Sequence, residues 1–357
     1  MNSKVLLKKV TDLGCDGAVF FDETSQHYLT DFYTTDGVVV VCDAETALLT
    51  DSRYIEAARR LKKGGFLDFE VAPYLMSDYG SLAEYIKVRG LYRLAYDPSR
   101  ITVTQLNRLT KNSPDTEFVP VEELCSDIRQ IKKPKEIAKI KAAQQITDAA
   151  FTHMLEFLRP GLTELECAAE LEYFMRKNGA TGLAFETIAV SGKNSSLPHG
   201  VPGNTVLENG TFLTMDFGAS LDGYCSDMTR TVVIGKATPE MKFLYNSIRE
   251  AQQIGIDMSK PGIKCSDVDK AVRDFLKTKH LDKYFGHGLG HSLGLEIHES
   301  PRYSPKCDDI TRPGHILTVE PGAYLPGQYG VRIEDMVLIT ETGCEDLTHS
   351  PKELIEI

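Results

Sequence analysis

Along the first 125 or so residues, short apolar runs rich in β-branched residues alternate with stretches whose apolar positions recur every three or four residues. The runs Ala18 to Phe21, Gly37 to Cys42, Thr46 to Leu49, Phe69 to Val71 and Arg93 to Tyr96 predict strands. Helices are expected near 53–62, 81–88 and 103–111, and an amphipathic helix pattern follows Met1. This alternation predicts an α/β layer with a largely covered sheet.

The pattern changes near 125–130. Ile128 to Lys141 carries six Lys or Arg and one Pro and opens a helical pattern that runs to about Leu158; its charges read as the solvated face of that helix. Thr163 to Lys177 is a second helix, with Thr163 and Glu166 spaced as a capping box. Strands are expected at Thr187 to Val190, Thr211 to Phe217 and Thr229 to Ile234, and helices at 239–258 and 266–279. Gly286 to Ile339 is punctuated by glycine and rich in strand patterns. Helices around a mostly antiparallel sheet make this half α+β. Two domains are therefore expected, 1–127 and 128–357, as the length of 357 residues also suggests.

Charge and composition narrow the function. Forty basic against 51 acidic residues give a net charge of −11, which disfavours nucleic acid as a partner. The longest apolar runs are strand-sized, so no membrane span or export signal is expected. Eight widely spaced cysteines without a CxxC pair read as free thiols of a cytoplasmic protein.

One repeat organises the second half. Gly210 to Gly223 and Gly314 to Gly327 share seven identities in fourteen at an offset of 104, with Asp216 opposite Glu320. Past this block the two copies differ by three inserted residues, and each then offers a second acid at the head of an apolar strand, Asp227 and Glu334. Two copies of a strand pair, each presenting two carboxylates, imply a pseudo-twofold domain with four acids at its axis. Such acids repel one another and resist burial, so a positive group belongs among them. Arg or Lys could supply it, but His287, His291 and His298 lie in one glycine-rich stretch, and imidazole with carboxylates suits Mn, Co, Fe or Zn. The glycines argue against a helical HExxH site and fit a strand or loop close to the metals.

These residues resemble the pita-bread metallopeptidases. Asp216, Asp227, His291, Glu320 and Glu334 look like the family's five metal ligands. The motifs Leu197-Pro198-His199-Gly200, Met215-Asp216-Phe217-Gly218, Val319-Glu320-Pro321-Gly322 and Arg332-Ile333-Glu334-Asp335 are similar to its Xaa-Pro branch, which comprises aminopeptidase P and prolidase. Tyr28-Leu29-Thr30 and Leu48 to Tyr54 resemble the creatinase-type N-terminal domain of that branch. Asp31 stands where many relatives have Gly.

The resemblance implies an α/β creatinase-type N-terminal domain, an α+β pita-bread catalytic domain and a homodimer. It implies two divalent metal ions, Mn first and Co or Zn as alternatives. Asp216 would bind one ion, His291 and Glu320 the other, and Asp227 and Glu334 both. A metal-bridging hydroxide would be the nucleophile, with Glu320 assisting proton transfer. His199 would contact the scissile carbonyl region, His298 would line the substrate site, and Arg332 would fix site charges or substrate.

The implied substrate is a peptide with proline at its second position. Its scissile nitrogen carries no N–H, and the leaving nitrogen needs a proton. Two ions about 3.5–4 Å apart would acidify the shared water and stabilise the oxyanion. Tyr324 and His298 are expected as walls of the proline pocket, His287 as a substrate or supporting residue, and Arg302 as a receptor for a dipeptide's carboxylate. The first expectation is an N-terminal Xaa-Pro peptidase of aminopeptidase P type. The alternatives are a prolidase restricted to dipeptides and a catalytically silent interaction protein.

Overall fold

The computed structural model describes residues 2–65, 69–74 and 79–357, and the chain forms two compact units, Met1–Arg129 and Gln130–Ile357. The first contains α1 (Asn2–Asp12), β1 (Gly17–Phe20), α2 (Glu23–Thr30), β2 (Gly37–Cys42), β3 (Thr46–Thr50), α3 (Ile55–Lys63), β4 (Glu70–Pro73), α4 (Gly80–Val88), β5 (Arg93–Tyr96), α5 (Val103–Asn112), β6 (Glu117–Pro120) and α6 (Ser126–Arg129). The sheet order is β4-β3-β2-β1-β5-β6, with β1–β2–β3 antiparallel and the other pairings parallel. Both β2 and β3 are buried at every position, which is why they read as unbroken apolar runs. Asp31 closes α2 in the left-handed region at φ 53°, a conformation that explains why glycine suits this position.

The second unit contains α7 (Pro134–Phe157), α8 (Glu164–Lys177), β7 (Gly182–Leu183), β8 (Ile188–Ser191), β9 (Thr211–Phe217), β10 (Ala219–Leu221), β11 (Tyr224–Cys225), β12 (Met228–Ile234), α9 (Pro239–Met258), α10 (Cys265–Thr278), β13 (Gly290–Ser292), β14 (Glu299–Tyr303), β15 (Ile316–Val319), β16 (Gly322–Leu325), β17 (Tyr329–Arg332), β18 (Asp335–Ile339) and β19 (Cys344–Asp346). The Thr163 capping box forms as expected: Glu166 N–H donates to Thr163 Oγ1 at 3.2 Å and Thr163 N–H to Glu166 Oε2 at 2.7 Å.

The sequence repeat is a structural repeat. In each copy a strand pair bends outward into a hairpin: β9 and β12 continue into β10–β11, and β15 and β18 into β16–β17. An inner third strand completes each copy, giving the orders β12-β9-β8 and β18-β15-β13. Period-two alternation divides the faces of β9, with Leu213, Met215 and Phe217 packing with α7 and α8 and Phe212 packing with α9 and α10. Gly290 marks the tightest approach, since a Cβ there would lie 1.9 Å from the Thr318 carbonyl oxygen of β15.

Two expectations need correction. The long helix starts at Pro134, not near Ile128, because proline suits the first helical position and forces the preceding residue to be extended; Lys133 has φ −80° and ψ 160°. The basic run before and within it is not simply a solvated face: Lys132 is buried, donating to Glu299 at 3.1 Å and Ser292 Oγ at 2.9 Å. Sequence patterning also missed α2 and β6.

Behind the second repeat lies a buried ionic network. Arg230 donates to Asp335 at 2.7 Å and to the carbonyls of Glu334 (2.7 Å), Ser350 (2.8 Å) and Pro351 (3.0 Å). Burial pushes the Asp335 carboxyl up, but Arg230 and Lys352 overcome it and hold it below the ordinary range. Arg230→Ala leaves buried acceptors without a donor, so it should destabilise this unit by about 3–5 kcal/mol, read as a lower urea midpoint.

Candidate metal centre and active site

The repeat sets the four acids at the corners where strands bend into hairpins. Asp216 is the penultimate residue of β9, Asp227 precedes β12, Glu320 lies between β15 and β16, and Glu334 lies between β17 and β18. His291, on β13, joins them from the inner strand of the second copy. Ligand atoms of Asp227, His291 and Glu334 all lie within 4.8 Å of one another, and all three residues are buried. His291 Nε2 is 3.6 Å from Asp227 and 3.5 Å from Glu320 Oε1.

Hydrogen bonds assign the tautomer of His291. Its Nδ1 faces the Ser292 carbonyl at 3.2 Å, which places the proton there and leaves the Nε2 lone pair directed at the acids. Burial, and then His298 beside it, pulls the His291 pKa down to about 3, so the ring is neutral at neutral pH. The two rings meet edge to face with centroids 4.4 Å apart.

The acids shift in the opposite direction. Burial, reinforced by Asp216 and Glu320, raises Asp227 well above the ordinary range; burial and Asp227 do the same to Glu334. Burial pushes Glu320 up to about 8 against the pull of Arg332. Arg332 donates to Asp216 Oδ2 at 2.6 Å, and Asp216 Oδ1 is buried without accepting a hydrogen bond. A neutral imidazole lone pair, an orphaned carboxylate oxygen and clustered acids fit divalent cations of the hard-to-borderline class.

Supporting residues fix these groups. Thr229, cross-strand from Asp216, donates to Glu334 Oε2 at 2.7 Å and accepts from Arg332 Nε at 3.0 Å. Thr318 Oγ1 donates to Glu320 Oε1 at 3.2 Å and accepts from the His291 N–H at 3.1 Å. Arg332 also donates to the Tyr324 hydroxyl at 2.7 Å. Since His287 Nδ1 faces the Gly288 carbonyl at 2.8 Å, its Nε2 accepts the Tyr324 O–H at 3.0 Å. Burial, and then Arg332, lowers His287 to about 4; burial raises Tyr324 to about 12 despite Arg332, so imidazole and phenol both stay neutral.

A cavity of about 620 Å³ opens beside the cluster. Its lining includes the expected His199, His287, His298, Arg302 and Arg332 with all five acid and imidazole candidates. Tyr324, expected as a wall of the proline pocket, is not among the lining residues: its hydroxyl is engaged by Arg332 and His287 behind the surface. Apolar walls come instead from Pro198, of the Leu197 to Gly200 motif, and from Phe185, Ile188 and Ile297, which no sequence motif singled out.

Residues 138–341 match metallopeptidase family M24, and residues 4–131 match the Creatinase/Prolidase N-terminal domain. The chain belongs to metallopeptidase family M24 and has the family's pita-bread catalytic domain. An Xaa-Pro dipeptidase of Pyrococcus horikoshii is 41% identical over 250 residues, covering 70% of this chain and 71% of the relative. The structure of an Xaa-Pro dipeptidase from Bacillus anthracis is similar with a TM-score of 0.94 and 40% identity, over 100% of this chain and 99% of that one. An X-Pro aminopeptidase from Thermotoga maritima matches with a TM-score of 0.93 and 34% identity over 100% of both chains. Membership of this family implies divalent metal ions, and the buried Asp, His and Glu cluster is where they fit.

Glu334→Gln should retain less Mn than the wild-type chain after gel filtration, measured by elemental analysis. Tyr324→Phe keeps every candidate ligand and cuts the link between Arg332 and His287. It should leave metal content unchanged and lower kcat about tenfold, the worth of about one hydrogen bond to a charged group.

Proposed function

We propose that this protein hydrolyses the Xaa-Pro bond at the N-terminus of short peptides. The observation that carries this reading is the cluster of buried Asp227, His291 and Glu334 with half-buried Asp216 and Glu320, with its free imidazole lone pair, at the wall of a cavity with apolar sides. Asp216 is assigned to one divalent cation, His291 and Glu320 to the other, and Asp227 and Glu334 to both. When bound, such a pair supplies Lewis acidity that acidifies water and neutralises oxyanion charge. Mn is proposed first, with Co and Zn as alternatives.

The chain's own residues do the rest. Thr318 engages Glu320 Oε1, which leaves Oε2 to carry a proton to the departing proline nitrogen. His199 and His298 present imidazoles to the substrate carbonyl and proline side of the cavity. Arg332 neutralises Asp216 and keeps its side chain in place. Ile297, Phe185 and Pro198 exclude water from the peptide's apolar parts. The printed names of the similar proteins, dipeptidases and an aminopeptidase acting on Xaa-Pro, support the substrate class. Homodimerisation is part of the same proposal, and light scattering reads it.

One observation favours dipeptides over longer chains. Arg302, across β13–β14 from His291, lines the cavity and makes no ion pair among the described residues. It can receive the free carboxylate of a C-terminal proline in bidentate fashion. Glu186 is the one lining acid outside the metal cluster, so the cavity offers one uncommitted charge of each sign to a zwitterion.

Metal-depleted enzyme reloaded with Mn or Co should release Ala from Ala-Pro, with Ala-Pro-Ala as the comparison for chain length. Failure on both substrates at two metals per chain overturns the peptidase reading. Arg302→Ala should raise KM for Ala-Pro by about 10- to 100-fold, the worth of a charge-assisted hydrogen bond, with kcat little changed. An unchanged KM removes Arg302 as the carboxylate receptor.

A further inference from the structure

His199 poses a positioning problem. Its side chain is exposed and makes no hydrogen bond among the described residues, so only the backbone that carries it determines where the imidazole stands. That backbone is a loop between β8 and β9, and its two ends meet at one buried carboxylate. Glu164, the first residue of α8, has no exposed surface. It accepts from the N–H of Ser191 at 2.7 Å, the hydroxyl of Ser191 at 3.2 Å, and the side-chain amide of Asn194 at 3.1 and 3.3 Å. On the far side of His199 it accepts from the N–H of Gly203 at 3.0 Å.

We propose that Glu164 is a positioning residue for His199, acting through the segment 191–203. A buried carboxylate surrounded by neutral donors is costly unless its lone pairs are filled, and here they are filled by groups of this loop alone. The start of a 14-residue helix adds favourable dipole charge beneath it. Two further ties register the loop against the metal side. Gly330 N–H donates to Ser195 Oγ at 3.0 Å, and Arg332 donates to the Pro198 carbonyl at 3.2 Å. The approach at Ser195 is tight: a Cβ on Gly330 would stand 2.3 Å from the Ser195 carbonyl oxygen. The loop is therefore clamped at both ends by Glu164 and along its middle by β17, and His199 projects from the clamped span. Glutamine cannot replace the carboxylate, because its amide N–H₂ would face donors where an acceptor is needed.

This inference rests on the assignment of His199 made above, and a double-mutant cycle separates the two. Glu164→Gln, His199→Ala and the double variant are each loaded with Mn and assayed on Ala-Pro, with metal content and melting temperature measured in parallel. The expected result is a 10- to 100-fold loss of kcat/KM for Glu164→Gln at unchanged metal content, falling below 2-fold when His199 is already Ala. Equal losses in both backgrounds, or no loss in the first, overturn the positioning role while leaving His199 catalytic. A His199→Ala variant with wild-type kcat/KM overturns the assignment of His199, and the positioning role with it. If Glu164→Gln does not fold, Asn194→Ala takes its place in the same cycle, since it removes one of the loop's ties and leaves the carboxylate bound to Ser191 and Gly203.

Discussion

Four carboxylates gathered out of water are the constraint around which the catalytic unit is built. Burial and mutual repulsion push Asp227, Glu320 and Glu334 upward together, and a single guanidinium, Arg332, enters the cluster from the protein side. One cation does not balance four acids, and the imidazole that joins them is neutral. These three carboxyls can give up their protons together only beside added positive charge, which makes the place a seat for divalent ions and a poor one for anything apolar. Around this core, each acid sits where a strand turns a corner, and the hydroxyls of Thr229 and Thr318 orient the two glutamates.

Much of this was legible from the chain because it is written in local pattern. Period-two alternation and β-branched runs located β2, β5 and β9, and a fourteen-residue self-similarity exposed the pairing of Asp216 with Glu320. The acids of the second rank, Asp227 and Glu334, could be read only because the repeat continued past its identical block. What escaped depends on contacts between distant residues. Thr229 meets Glu334 across 105 positions, and nothing near Thr229 announces it. Tyr324 was recognised as a site residue but misplaced, because its role follows from which neighbours reach its hydroxyl. Lys132 looked like one more surface charge in a basic run until Glu299 and Ser292 were found around it. The eight-residue helix α2 carries too few periods to stand out, and β6 offers only Phe118 and Val119, half-buried, before Pro120.

The histidines divide by the same logic. His287 and His291 each give their Nδ1 to a neighbouring carbonyl, and burial keeps both neutral, so each presents an Nε2 acceptor on a fixed bearing. One bearing points at the acids, the other at Tyr324. His199 and His298 are exposed on the cavity instead, where a substrate can meet them.

The repeat is symmetric in its acids and asymmetric in everything that distinguishes them. Ser191 lies opposite Leu213 as Ser292 lies opposite Leu317, so the counterpart of His291 in the first copy is Val190; two residues before the second acid, one copy has Cys225 and the other Arg332. Two separate chains of one half each would have to place the same residue at both positions, an imidazole twice or a valine twice. Fusion into one polypeptide lifts that requirement, and descent with divergence can then specialise one half for chemistry while the other keeps the scaffold.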